Sequence, residues 1–202
     1  MDRILKSISF IFHPLLMPLA GVGFYFLVSP RFTPKEIVYA KLLSLSILTI
    51  ILPVLLYFLL KTLGRVESMY LKTTNERIFP LALNCIITLI VLLRILTQSQ
   101  FIELYFFFLG ILISTMACLI LAILKFKASI HMIAVSGLFM FFIVLSIHFS
   151  ININGVLALM SIITGAVATS RLHVKAHDYK ELIMGFFVGV IPQLILVNYW
   201  LT

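Results

Sequence analysis

The sequence predicts an all-α fold, a polytopic transmembrane helical bundle of about seven spans, and three observations carry that expectation. Its 202 residues are 62% hydrophobic and only 11% charged; the apolar residues gather into long runs; and the polar ones fall between those runs. A mean hydropathy of +1.20 excludes an ordinary water-soluble globule, whose charged share is about 25%. No low-complexity tract or soluble domain interrupts the runs, so residues 1–202 read as a single integral-membrane domain surrounded by membrane lipids. Nucleic acid is not an expected partner, and oligomeric state is not legible.

A helix needs about 17 to 25 residues to cross a bilayer. The runs over 8–28, 42–60, 81–97, 104–124, 131–149, 155–169 and 182–200 meet or approach that length. The first holds His13-Pro14 and Pro18, which predict a kink or a re-entrant path, because proline offers no backbone N–H and its ring crowds the preceding turn. It also follows a charged head, Met1 to Lys6, as a secretory signal would. Its length and the lack of a small-residue cleavage site before Pro30 favour an anchor instead. The sixth run is short and opens at Asn152 and Asn154; the other five read as plain spans. Cys85 and Cys118 fall inside spans, where packing accounts for them and no disulfide framework is implied.

Counting spans puts the loops after the second, fourth and sixth on the side of the N-terminus. Those loops hold Lys72, Asn75, Glu76, Arg77 and Pro80; then Lys125, Lys127, Ser129 and His131; then Ser170, Arg171, His173, His177 and Glu181. Three polar clusters remote in sequence are thus expected to converge on one membrane face. Eleven of the fifteen Lys and Arg residues lie on that side, and Arg31, Lys35, Lys41 and Arg94 lie on the other. Basic residues concentrate in cytoplasmic loops, so the face with the clusters is expected to be cytoplasmic. Arg65, Lys125, Lys175 and Lys180 are adequately explained as topology signals that snorkel to headgroups.

The densest cluster is Ser170-Arg171, five residues, His177, three residues and Glu181, set between two apolar runs. An ionisable group near hydrocarbon costs about 2.5 to 3.5 kcal/mol on insertion scales, so three kept together point to a site. A cation for an anionic group, an imidazole and a carboxylate are the parts of phosphoryl-transfer chemistry. Histidine is a poor topology signal but a good nucleophile or proton donor near pH 7, which singles out His131 and His177. His13 and His148 have no charged sequence neighbours and are read as packing or interfacial residues with no site role. On a continuous helix His177 and Glu181 would be neighbours one turn apart, with the carboxylate holding one ring nitrogen.

These residues resemble the signatures of the type 2 phosphatidic-acid phosphatase superfamily. Ser170-Arg171-x5-His177-x3-Glu181 is similar to its third signature, with Glu181 where aspartate is expected. Ala128-Ser129-Ile130-His131 shares two of four positions with the second, proline-serine-glycine-histidine. Lys72-x4-Arg77-x2-Pro80 approximates the first, lysine, six residues, arginine-proline, at altered spacing. The likeness covers about 72–200 in the family's order, within a signature-bearing core of about 61–200 that a six-helix phosphatase core would match. It implies an integral protein of the bacterial inner membrane that hydrolyses a lipid phosphate without metal or other cofactor. By the same resemblance His177 attacks phosphorus to give a phosphohistidine, Glu181 orients it, and His131 protonates the leaving alcohol. Arg171, Arg77, Ser129 and Lys72 would bind the phosphate, arginine offering a planar fork suited to its oxygens. Loops of about a dozen to twenty residues leave little room for a bulky sugar head, so the implied substrate is a phospholipid or isoprenoid phosphate.

Two other readings stay open. His173, His177 and Glu181 recur at i, i+4 and i+8 and offer nitrogen and oxygen ligands for a metal along one helical face, although Arg171 nearby disfavours a cation. The same cations also suit a non-catalytic lipid-phosphate binder or transporter.

Overall fold

Proline ends the first helix. In the computed structural model, which describes residues 2–64 and 73–201, α1 (Asp2–Ile11) stops ahead of His13-Pro14, and α2 (Met17–Val28) begins after a turn in which Leu16 N–H donates to the His13 carbonyl at 2.9 Å. Six longer helices follow: α3 (Lys35–Thr62), α4 (Thr74–Ile95), α5 (Ile102–Ile123), α6 (Ile130–His148), α7 (Asn154–His173) and α8 (Tyr179–Tyr199). Each of the six is long and apolar enough to cross a membrane, and the described residues contain no strand. π-helical turns widen α3 at Ile47–Ile51 and α4 at Val91–Ile95. The first lies just ahead of Pro53, which cannot donate to the carbonyl four residues back.

The first apolar run is therefore not one continuous anchor over 8–28. With 12 residues, α2 extends only about 18 Å and is too short to span alone. The segment around it nonetheless runs the full depth of α6. At one end His13 packs edge-on to His131, 5.5 Å between ring centroids; at the other, Arg31 and His148 both bond Glu103. With the six long helices this makes seven passes between two polar ends. α1 turns away from this path and lies against α7. The sixth span is a full 20-residue helix, because α7 continues through Ser170, Arg171 and His173.

α8 packs most extensively on α6 and also on α5, α7 packs on α6, and α4 packs on α5. The α6–α8 approach depends on glycines spaced four apart. A Cβ at Gly189 would lie 2.2 Å from Ser136 Oγ and 2.3 Å from the Ile133 carbonyl oxygen, and one at Gly185 would lie 2.8 Å from the Ser129 carbonyl oxygen. Such spacing lets membrane helices touch backbone to backbone. Hydroxyls then bond across the contacts, Ser136 Oγ to the Phe186 carbonyl at 3.0 Å and Ser114 Oγ to the Val188 carbonyl at 2.9 Å. Phe107 and Phe141, both wholly buried, stack at 4.1 Å in the core. Outside, Leu55, Leu93, Ile120, Ile147, Ile162 and Ile195, one from each long helix, are each more than half exposed. An apolar outer surface of that extent needs lipid to cover it.

Candidate functional site

Three bonds tie the start of α4 and the links 124–129 and 174–178 into one end of the bundle. Arg77, buried in the first turn of α4, donates Nη1 to the Ala128 carbonyl at 2.8 Å. Lys127 donates Nζ to the Ala176 carbonyl at 3.0 Å, and Ser129 N–H donates to the Glu181 carbonyl at 3.1 Å. Arg77, Arg171, Lys127 and His131 consequently all act electrostatically on His177. Of the residues expected to form the site, Lys72 alone falls outside the described residues.

His177 stands in the link between α7 and α8, so the expected contact along a continuous helix is corrected. Asp178 caps α8: its carboxylate accepts Glu181 N–H at 2.8 Å, while Glu181 Oε2 reaches back to Asp178 N–H at 3.4 Å, the reciprocal arrangement of a capping box. The same Oε2 pairs with His177 Nδ1 at 2.6 Å. The pair meets because the cap folds Glu181 back over the helix start. This interruption also separates His173 from His177 and Glu181, so the i, i+4, i+8 metal face does not form. Among the described residues no three His, Cys, Asp or Glu side chains assemble as a ligand set.

Burial, then Arg77, Arg171, Lys127 and His131, push the His177 imidazole down to about 3, against the Glu181 carboxylate, which favours the cation. The ring is therefore neutral at neutral pH. A carboxylate only accepts, so Nδ1 carries the proton and Nε2 keeps its lone pair. Lys127 is lowered too, by burial first and then by Arg77. His177, Glu181, Asp178, Lys127 and Lys175 line an open cleft of about 380 Å³. Lysines and a neutral imidazole in one wall can hold an anion and present it with a nucleophile.

The other expected residues stand behind that wall. Ser129 is wholly buried and caps α6, its Oγ accepting Met132 N–H at 3.5 Å, so burial rather than loss of its O–H proton keeps it from the cleft. Arg171 is buried in the last turn of α7. His131 Nε2 bonds the Ser9 carbonyl at 3.2 Å. Ser170 Oγ donates to the Leu5 carbonyl at 2.5 Å, so in its 2.6 Å contact with Ser9 Oγ the Ser9 hydroxyl is the donor. α1 thus lies across His131 and Ser170, a contact no motif announces. Lys127 was legible only as a loop charge. His13 packs on His131, as a packing residue would, whereas His148, expected without a charged partner, bonds Glu103 at 3.2 Å.

No protein-family model, curated protein or solved structure matches this chain. Fold and composition define its class, a helical-bundle protein embedded in a membrane.

Proposed function

We propose that the chain is a membrane-embedded, metal-independent lipid phosphate phosphatase that works through a phosphohistidine on His177. The observation that carries this reading is the 2.6 Å His177–Glu181 bond among Arg77, Arg171 and Lys127. It fixes the ring with Nε2 unprotonated, on a side chain only 2% exposed at the cleft wall, and surrounds it with charge suited to phosphate oxygens. In the first step the Nε2 lone pair forms an N–P bond as the ester O–P bond breaks. The bonding electrons leave with the alcohol oxygen, which takes a proton from His131. The negative charge of the arriving phosphate favours that proton on His131 beforehand. Water then attacks phosphorus and gives its proton back to His131, and the N–P pair returns to Nε2, freeing inorganic phosphate. Lys127 and Lys175, which line the cleft, meet the non-bridging oxygens, and Arg77 and Arg171 add positive field from behind its wall. The substrate is a phospholipid or isoprenoid phosphate, taken from the cytoplasmic side of a bacterial inner membrane.

A non-catalytic lipid-phosphate binder or transporter is the second reading, favoured by one observation: the expected acid, His131, has Nε2 engaged by the Ser9 carbonyl. Donation from Nε2 requires that bond to open; binding does not. Protein in detergent with a chelator present is expected to release inorganic phosphate from phosphatidic acid or an isoprenyl phosphate. His177→Ala should lower release by on the order of 10³-fold or more. Wild-type protein that retains the lipid phosphate but frees none would make it a binder, and release abolished by chelator would make it a metal enzyme.

A further inference from the structure

The opposite end of the bundle carries a second polar cluster that the phosphatase reading does not use. Glu103, in the first turn of α5, is wholly buried and held by groups from three other parts of the chain. Arg31 Nη2 lies at 2.8 Å and Nη1 at 3.2 Å, the Tyr25 hydroxyl donates at 3.1 Å, and His148 Nε2 lies at 3.2 Å. Two bonds to one carboxylate fix the Arg31 guanidinium, although its side chain is 51% exposed. Beside it opens a cleft of about 520 Å³ lined by Arg31, Lys41, Gln100, Phe101, Phe32 and Ile37 among others. Lys41 Nζ donates to the Ile95 carbonyl and to Gln100 Oε1 and lies 5.6 Å over the Phe101 ring; an ammonium has three N–H groups, so one remains. At the rim Phe32 is 93% exposed.

We infer that this cleft binds the phosphate head of an anionic lipid from the leaflet opposite His177, with Arg31 and Lys41 on the phosphate oxygens and Phe32, Ile37 and Phe101 along the glycerol and first acyl carbons. Two of the four basic residues on this face line one cleft. Glu103 balances Arg31, so Lys41 leaves the cleft cationic. Side chains already held in place lose little freedom on binding, which favours affinity. The lipid has a structural task to perform, because α3 is the least buried of the six long helices. A phosphate bridging Lys41 on α3 to Arg31 would fasten that helix to the rest of the bundle.

Native mass spectrometry of the purified full chain with phosphatidylglycerol or phosphatidylcholine tests this. Phosphatidylglycerol is a phosphodiester, which the proposed monoester hydrolase does not cleave. The wild type is expected to retain phosphatidylglycerol about five-fold or more over phosphatidylcholine, in line with one charge-assisted contact. Lys41→Gln should bring the two lipids to near equality, Lys41→Arg should restore the preference, and Arg171→Gln should leave it intact. Equal preference in Lys41→Gln and wild type overturns the inference. So does loss of preference in Arg171→Gln, which would put the lipid at the other end, or displacement by millimolar inorganic phosphate, which would make the cleft an ion site. Phosphate release from phosphatidic acid, assayed separately on the same protein preparations, should be unchanged by Lys41→Gln. A wild type that releases none defeats the phosphatase reading without touching this result.

Discussion

Around His177 the Glu181 carboxylate at 2.6 Å and the surrounding cations pull protonation in opposite directions, and burial with Arg77, Arg171 and Lys127 prevails, holding the ring at about 3. In the unfolded chain the same group titrates near 6.5, so between those values the unfolded state binds more protons. Stability from this residue is thus fully present above pH 6.5 and is lost as pH falls towards 3. Thermal unfolding in detergent at pH 7, 5.5 and 4 should show a smaller drop for His177→Gln, which does not titrate, than for wild type; parallel curves would refute the assignment. Identity and spacing of Ser170, Arg171, His177 and Glu181 were legible because ionisable residues between apolar runs stand out. The mode of the contact was legible only in part. Asp178-x2-Glu181 has the pattern of a capping box, which places His177 before the helix and not on it. The Ser9–His131 bond joins residues 122 apart and exists only because Pro14 turns α1 aside.

Helix-to-helix contact then decides whether these residues stay together, since the Ser129–Glu181 backbone bond joins the starts of α6 and α8. At Gly189 a methyl group would meet Ser136 Oγ at 2.2 Å and the Ile133 carbonyl oxygen at 2.3 Å. A side chain can rotate away, but a helix backbone cannot. Gly189→Ala is therefore expected to part the helices and cost ~1–3 kcal/mol, as overpacked cores do. Gly165→Ala on α7, where a Cβ meets nothing within 4 Å, should be neutral or slightly stabilising, because alanine is the better helix former by about 1 kcal/mol. Thermal unfolding of the two variants in one detergent separates them, and equal midpoints would sink the packing account. The long helices were readable as apolar runs, while their ends were not. α4 starts at Thr74, seven residues before its apolar run at 81, because backbone hydrogen bonding continues into polar sequence once Thr73 Oγ1 accepts Glu76 N–H at 3.3 Å. The first run shows the reverse case, since His13-Pro14 announced a kink but not that α1 would fold back onto α7.

Across the whole molecule, seven passes place residues 2–11, 124–129 and 174–178 at one polar end and Arg31, Glu103 and His148 at the other. Convergence of the three clusters followed from parity alone, an even number of passes separating each from the next. The proposal that the His177 end faces the cytoplasm rests on charge. Even without Lys72, Arg77 and Arg171, the sequence segments assigned to the His177 side hold eight basic residues against four, and basic loops favour the inside. Single cysteines at exposed positions test both points in a chain whose native Cys85 and Cys118 are replaced. Ser150→Cys, in the link between α6 and α7, should react with a membrane-impermeant maleimide in intact cells. Lys125→Cys, exposed at the other end, should react only after permeabilisation. The opposite pattern would turn the His177 end outward. Ser7→Cys on α1 decides the remaining pass, because only a chain that crosses the membrane between His13 and Arg31 puts residues 7 and 125 on the same side. Labelling of position 7 together with 150 in intact cells would reduce the bundle to six passes and leave α1 unable to reach His131.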